Sequence, residues 1–197
     1  MPRCACSQGL PSGRGTAVYA NGCRYVGEFS RGVPHGGRGT LAVAQERTGL
    51  AFTAAGEWAA GQLSGPDCTW SLTLGGGWLG SGGSSSTTET YSGGFLRGLR
   101  HCQHAAAEFA DGTRFEGRFY NGRANGSGVA RYADGSVYRG KFVAGLRHGK
   151  GTTVLANGSS YAGMWVADER HGQGTLRMPD GREIQGLWQR GALQTAQ

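Results

Sequence analysis

No run of apolar residues in this chain is long enough to cross a bilayer as a helix. The amino end, Met1-Pro-Arg-Cys-Ala-Cys, lacks the hydrophobic segment of a secretory signal, so a place in the cytosol, or on a structure facing it, is expected. Cysteine is scarce and odd in number. Its five copies at irregular spacing fit reduced thiols better than a disulfide framework. Acidic residues number 13 against 20 basic ones, a net charge of +7, and all but two of the basic residues are arginine. Arginine favours bidentate contact with carboxylates and phosphates, which points to an acidic partner. Glycine, by contrast, supplies 39 of 197 residues, and it recurs with a period, which argues against disorder.

The period is 23 residues: Asp111-Gly112, Asp134-Gly135, Asn157-Gly158 and Asp180-Gly181 follow one another at that interval. Phe115, Tyr138, Tyr161 or Ile184 stands next in each unit, then Gly117, Gly140, Gly163 or Gly186, then Phe119, Phe142, Trp165 or Trp188. A period this short predicts stacked supersecondary units rather than one globular core. Residues i, i+2 and i+4 of a strand share a face, so aromatic, Gly, aromatic puts two rings on one side with a gap between them. Glycine at a fixed register in a strand signals close approach by a backbone or an aromatic side chain. Gly122, Gly145 and Gly191, then Gly126 with Gly128, Gly149 with Gly151 and Gly172 with Gly174, mark a turn and a return strand. Asp-Gly or Asn-Gly then supplies the positive φ angles that a two-residue primed turn demands. One unit is thus a β-hairpin plus its connection. An isolated hairpin is marginal, so the expected fold is all-β: an elongated single-layer antiparallel sheet of tandem β-hairpins, advancing about 10 Å per repeat into a rod of roughly 70 Å.

The runs Tyr138-Arg-Gly140-Lys-Phe142-Val-Ala-Gly145-Leu-Arg-His148-Gly149-Lys-Gly151 and Tyr161-Ala-Gly163-Met-Trp165, continuing to His171-Gly172-Gln-Gly174, resemble MORN repeats (membrane occupation and recognition nexus). On this reading residues 1–197 form one continuous array: a half repeat at 12–24 and repeats starting near 25, 54, 91, 115, 138, 161 and 184. The copy at Tyr91-Ser-Gly93-Gly-Phe95 has Cys102 and His104 in place of later glycines, and the copy at Ala54 lacks its leading aromatic. From Ala54 to Tyr91 is 37 residues, and the excess over one unit falls in a Gly/Ser/Thr tract read as a flexible insertion at about 75–89. Trp70, Leu72 and Leu74 before it alternate with polar residues as a return strand would. A smaller excess lies around Ala44 to Thr53.

Arg100, Arg147 and Arg170 share one repeat position, each followed by His101, His148 or His171. Stacking would align them into a basic ridge. Two readings stay open: charged turns on a solvated face, or a docking surface for an acidic protein or phosphoinositide headgroups. The contact residues proposed for a partner are Arg100, Arg147, His148, Arg170 and His171, with Tyr138, Phe142, Tyr161, Trp165 and Trp188 beside them, although these rings also define the repeat. Charge reversal at Arg147 and Arg170 is expected to weaken a partner and leave the fold intact.

His101-Cys102-Gln-His104, with Cys68 and the pair Cys4 and Cys6 elsewhere, is the only arrangement to weigh for zinc. His101 already has a repeat-derived place, so no metal is expected. Gly122-Arg-Ala-Asn-Gly126-Ser-Gly128 opens no helix and carries no P-loop lysine, Ser84 to Ser86 lie in the insertion without a partnered histidine, and the turn aspartates serve backbone geometry. No catalytic residue and no cofactor is expected.

The resemblance implies a non-enzymatic structural scaffold making protein–protein contacts. Free-standing short arrays are similar to radial spoke head components, which implies a cytoskeletal place in the axoneme of a cilium or flagellum. The alternative it implies is a membrane-surface adaptor for acidic phospholipids, though the arginines are dispersed instead of blocked. Partners are expected among other proteins of a large assembly, with self-association through sheet ends possible and no nucleic acid.

Overall fold

Strand alternation places the aromatic residues and glycines of each unit on one face, and pairing between strands then lines the glycines up. The computed structural model describes residues 5–7, 10–45, 50–74 and 87–194; residues 5–7, 44 and 45 are described by backbone alone. The chain is all-β, built of antiparallel hairpins in tandem, with no helix among the described residues. It divides into two compact units, residues 1–102 with 107–110, and residues 103–106 with 111–197. The tract at 75–86 lies outside the described residues, and the strand Thr87–Leu96 takes in the last positions assigned to the insertion.

In the second unit each strand from Arg114–Tyr120 to Glu183–Gln189 pairs with the next. The register sets Gly117 opposite Gly128, Gly128 opposite Gly140, then Gly151, Gly163, Gly174 and Gly186 in succession, so a row of glycines crosses the sheet. Within the hairpins at Gly117/Gly128, Gly140/Gly151 and Gly163/Gly174 the space above the pair is filled by the ring two residues before the first glycine. A Cβ on Gly140 or Gly151 would collide with the ring and hydroxyl of Tyr138, and one on Gly163 or Gly174 with those of Tyr161. The gap between the two aromatic positions is therefore closed by the leading ring folding along its own strand. Its hydroxyl then donates to a carbonyl three residues on: Tyr138 to Lys141 O at 3.0 Å and Tyr161 to Met164 O at 3.2 Å.

The second aromatic of each unit reaches back to the previous repeat. Trp165 Nε1 donates to Gly151 O and Trp188 Nε1 to Gly174 O, each at 3.2 Å. Edge-to-face contacts run without a break from Phe119 through Phe115, Phe142, Tyr138, Trp165 and Tyr161 to Trp188, with ring centroids 5.0–5.5 Å apart. Each such pair adds about 0.5–1.5 kcal/mol to the burial of its rings. Burial in a poorly hydrated face raises the Tyr138 hydroxyl to about 12, partly opposed by the Arg147 guanidinium.

The two ends of the hairpins use different turns. Ala144 and Gly145 both have positive φ, 54° and 93°, in the two-residue turn between the paired Val143 and Leu146. The Asp-Gly sites differ from the expected primed turns. Of Ala133, Asp134 and Gly135 only the glycine has positive φ, and Tyr132 N–H donates to Ser136 O across a three-residue loop. Asp134 instead accepts the Ser136 N–H at 2.8 Å, and its hydrogen bonds to Ser136 hold the carboxyl below the ordinary range.

The first unit keeps this plan and shows how a degenerate copy compensates. Tyr25 is fully buried against Phe29 and Trp58, and Trp58 Nε1 donates to Gly39 O at 2.9 Å. In the next copy Ala54 provides no ring. Cys68 stands opposite Gly56, where the pattern would place glycine, and its sulfur fills the space above Gly56. Cys68 is 1% exposed, and burial pushes its thiol up.

Urea unfolding of substituted chains reads these contributions. Gly163→Val drives a side chain toward the Gly174 Cα, which already lies 2.7 Å from a Cβ position, and should cost more than about 3 kcal/mol; Gly158→Ala meets open space but keeps φ at +85° and should cost about 1–2 kcal/mol. Cys68→Gly should cost about 1–3 kcal/mol through the void it leaves, and adding Ala54→Tyr should recover much of that loss. Additive losses in the double variant would show that the sulfur does not replace the ring.

Candidate functional site

With its rings committed to the core, the aromatic face of the second unit is closed by arginine. Arg147 lies opposite Phe142 and Arg170 opposite Trp165, each just past a two-residue turn, so both side chains rise on the aromatic face. The Arg147 guanidinium sits 4.3 Å from the centroid of Trp165 and 5.8 Å from that of Tyr138. Arg170 lies 5.0 Å over Trp188 and 5.3 Å over Tyr161. In the first unit Arg100 covers Tyr91, Trp70 and Phe109 at 5.6–5.8 Å. The position shared by these three arginines thus caps rings by cation–π contact.

The histidines that follow them go elsewhere. His148 pairs with Lys141 and His171 with Met164, residues that alternate to the opposite face from Phe142 and Trp165. Strand geometry divides the Arg-His steps at 147–148 and 170–171 between two faces. Tyr138, Phe142, Tyr161, Trp165 and Trp188 are all buried, 0–5% exposed, so a partner on this face meets the arginines above them.

Arg147 is held by a residue that the arginine pattern alone does not reveal. Asp168 Oδ1 accepts from the Arg147 main-chain N–H at 2.8 Å and from its Nε at 2.9 Å, while Arg147 Nη2 donates to Asp168 O at 2.8 Å. Asp168 adopts φ of 70° at the turn position filled elsewhere by Gly122, Gly145 and Gly191. That break in the glycine series was its one signal in the sequence. At Arg170 the matching residue is Gly191, whose N–H reaches Arg170 O at 3.0 Å but which has no side chain to offer. Between the two arginines an open groove of about 340 Å³ is lined by Arg147, Thr153, Tyr161, Trp165, Asp168 and Arg170, with Glu169 and Arg190 also bordering it. Thr153, 4% exposed, has no hydrogen-bond partner for its hydroxyl among the described residues. The groove can bind and orient a polar or anionic group. Among the described residues no group of three His, Cys, Asp or Glu side chains is placed to hold a metal ion, and no helix is long and apolar enough to cross a membrane.

The family model for the MORN repeat matches residues 7–24, 25–36, 115–137, 138–160 and 161–181. Five segments of the chain thus match the MORN repeat. The last two carry most of the residues that line the groove, and MORN repeats suggest a protein- or membrane-binding scaffold. No curated protein matches the chain.

The two arginines of the MORN groove differ in what they contribute to stability. Arg147→Ala removes a ring cap and an ion pair 23% and 41% exposed and should cost about 1–2 kcal/mol in urea unfolding. Arg170→Ala removes the cap alone and should cost about 0.5–1 kcal/mol. Equal losses would show that Asp168 adds nothing.

Proposed function

We propose that this chain is a non-enzymatic scaffold that makes protein–protein contacts in a cytoskeletal assembly, of the kind found in the axoneme of cilia and flagella and in radial spoke heads. The observation that supports it is the groove over the aromatic row, where Arg147 and Arg170 are held in place by the rings beneath them. Preorganised side chains lose little freedom on binding, which suits a docking surface. Asp168 and Glu169 border the same groove. Mixed charge favours a protein surface of complementary pattern over a uniformly anionic lipid sheet.

A second reading, a membrane-surface adaptor for acidic phospholipids, has its own support. Tyr120, Val143, Leu146 and Val166 flank the two-residue turns and are 40–48% exposed, an apolar fringe on a chain of net charge +7.

Fractionation of the native protein separates the two. Source cells are stripped with non-ionic detergent, the insoluble cytoskeleton is washed with moderate salt, and the chain is followed by quantitative blot. Retention in the cytoskeletal or axonemal pellet is the expected result. Release with the detergent-soluble membrane would replace the scaffold reading with the lipid one.

A further inference from the structure

Arg147 with Asp168 displays, inside the molecule, how an arginine at this repeat position takes a carboxylate. The oxygen sits between the main-chain N–H and Nε of the arginine, while the guanidinium keeps its place over the rings. One repeat later Arg170 has the same strand register, the same pair of rings beneath it and the same turn N–H on its carbonyl, but Gly191 stands where Asp168 would. Among the described residues no carboxylate oxygen lies within ion-pairing distance of Arg170.

We propose that Arg170 is the seat for an aspartate or glutamate side chain of an acidic protein segment that docks in the groove. This deepens the protein-docking reading above and rests on it. Charge complementarity selects the occupant, because the seat is half built and its missing part is the group that Asp168 supplies next door. Thr153, a residue of the groove's floor, pairs across the strands with Tyr161, the ring under Arg170, and its buried hydroxyl has no partner among the described residues. Arginine is suited to such a seat because its planar fork stacks on rings while its edge donates to a carboxylate. Arg147 is already neutralised by Asp168, so the two arginines of the ridge are unequal: one is a structural cap and the other a recognition site.

Substitutions at the two turn positions test this without removing the rings. Gly191→Asp should neutralise Arg170 from within, and the turn tolerates it, since Asp168 holds φ of 70° where Gly191 holds 80°. Asp168→Gly, which restores the glycine found at 122, 145 and 191, should open a second seat at Arg147. The full chain is titrated with a fluorescein-labelled oligoglutamate peptide, with oligoglutamine as the control and phosphatidylserine-containing vesicles as the competing surface. Circular dichroism and thermal unfolding establish that each variant is folded.

The expected result is saturable binding of oligoglutamate over oligoglutamine, weakened about tenfold by Arg170→Gln and by Gly191→Asp and tightened by Asp168→Gly. Unchanged binding in folded Arg170→Gln and Gly191→Asp would overturn the seat, as would failure of the wild-type chain to bind the peptide. Sensitivity to Arg170→Gln seen with the vesicles alone would overturn it in favour of lipid. The two readings fail separately. A chain that leaves cells with the membrane fraction yet binds oligoglutamate through Arg170 sinks the cytoskeletal assignment, while a chain retained in the pellet with Arg170-independent binding sinks the seat.

Discussion

The fit of one aromatic ring over a cross-strand pair of glycines governs this structure. Tyr138 over Gly140 and Gly151, and Tyr161 over Gly163 and Gly174, leave no room for a Cβ, so the glycine row is a steric demand of the ring. Once the ring lies along its own strand it buries its body, gives its hydroxyl to a carbonyl three residues on, and turns its edge to the aromatic of the next repeat. Each repeat thereby completes the one before it, which is how hairpins that are marginal alone become an array. The degenerate copy obeys the same demand from the other side. Where Ala54 leaves the space empty, Cys68 fills it.

Electrostatics follow from that packing. The rings form the floor on which Arg147 and Arg170 rest, and two-residue turns bring the following repeat close enough for its second turn residue to meet the arginine backbone. Whether that residue is aspartate or glycine then decides whether the guanidinium is neutralised internally or remains available. A single turn position thus tunes a surface without touching the core. For a scaffold this is an economical way to give neighbouring repeats different roles, since binding differences between similar surfaces often rest on one desolvated charge.

The repeats also separate two kinds of surface. The aromatic side is closed by arginines and bordered by carboxylates, while the fringe of Tyr120, Val143, Leu146 and Val166 by the two-residue turns is apolar. The proposed protein contact belongs to the former. The lipid alternative draws on the latter.

The all-β class, the 23-residue unit and the aromatic, Gly, aromatic face were legible in the sequence, because strand alternation is local and the unit repeats at constant spacing from Asp111 to Gly181. The identity of the ring that closes each glycine gap was not, since spacing shows that room is needed and not which side chain takes it. Asp134 used its carboxylate to shape a three-residue turn, a choice between local hydrogen bonds that the dipeptide Asp-Gly leaves undecided. The basic position was visible as Arg100, Arg147 and Arg170, yet its division from His148 and His171 depended on those residues lying in strands beyond the turns. The pairing of Arg147 with Asp168 spans 21 residues and exists through the stacking register alone. Sequence by itself determined the unit and its core face; tertiary structure decided which charges that face neutralises, because neutralisation is a contact between repeats.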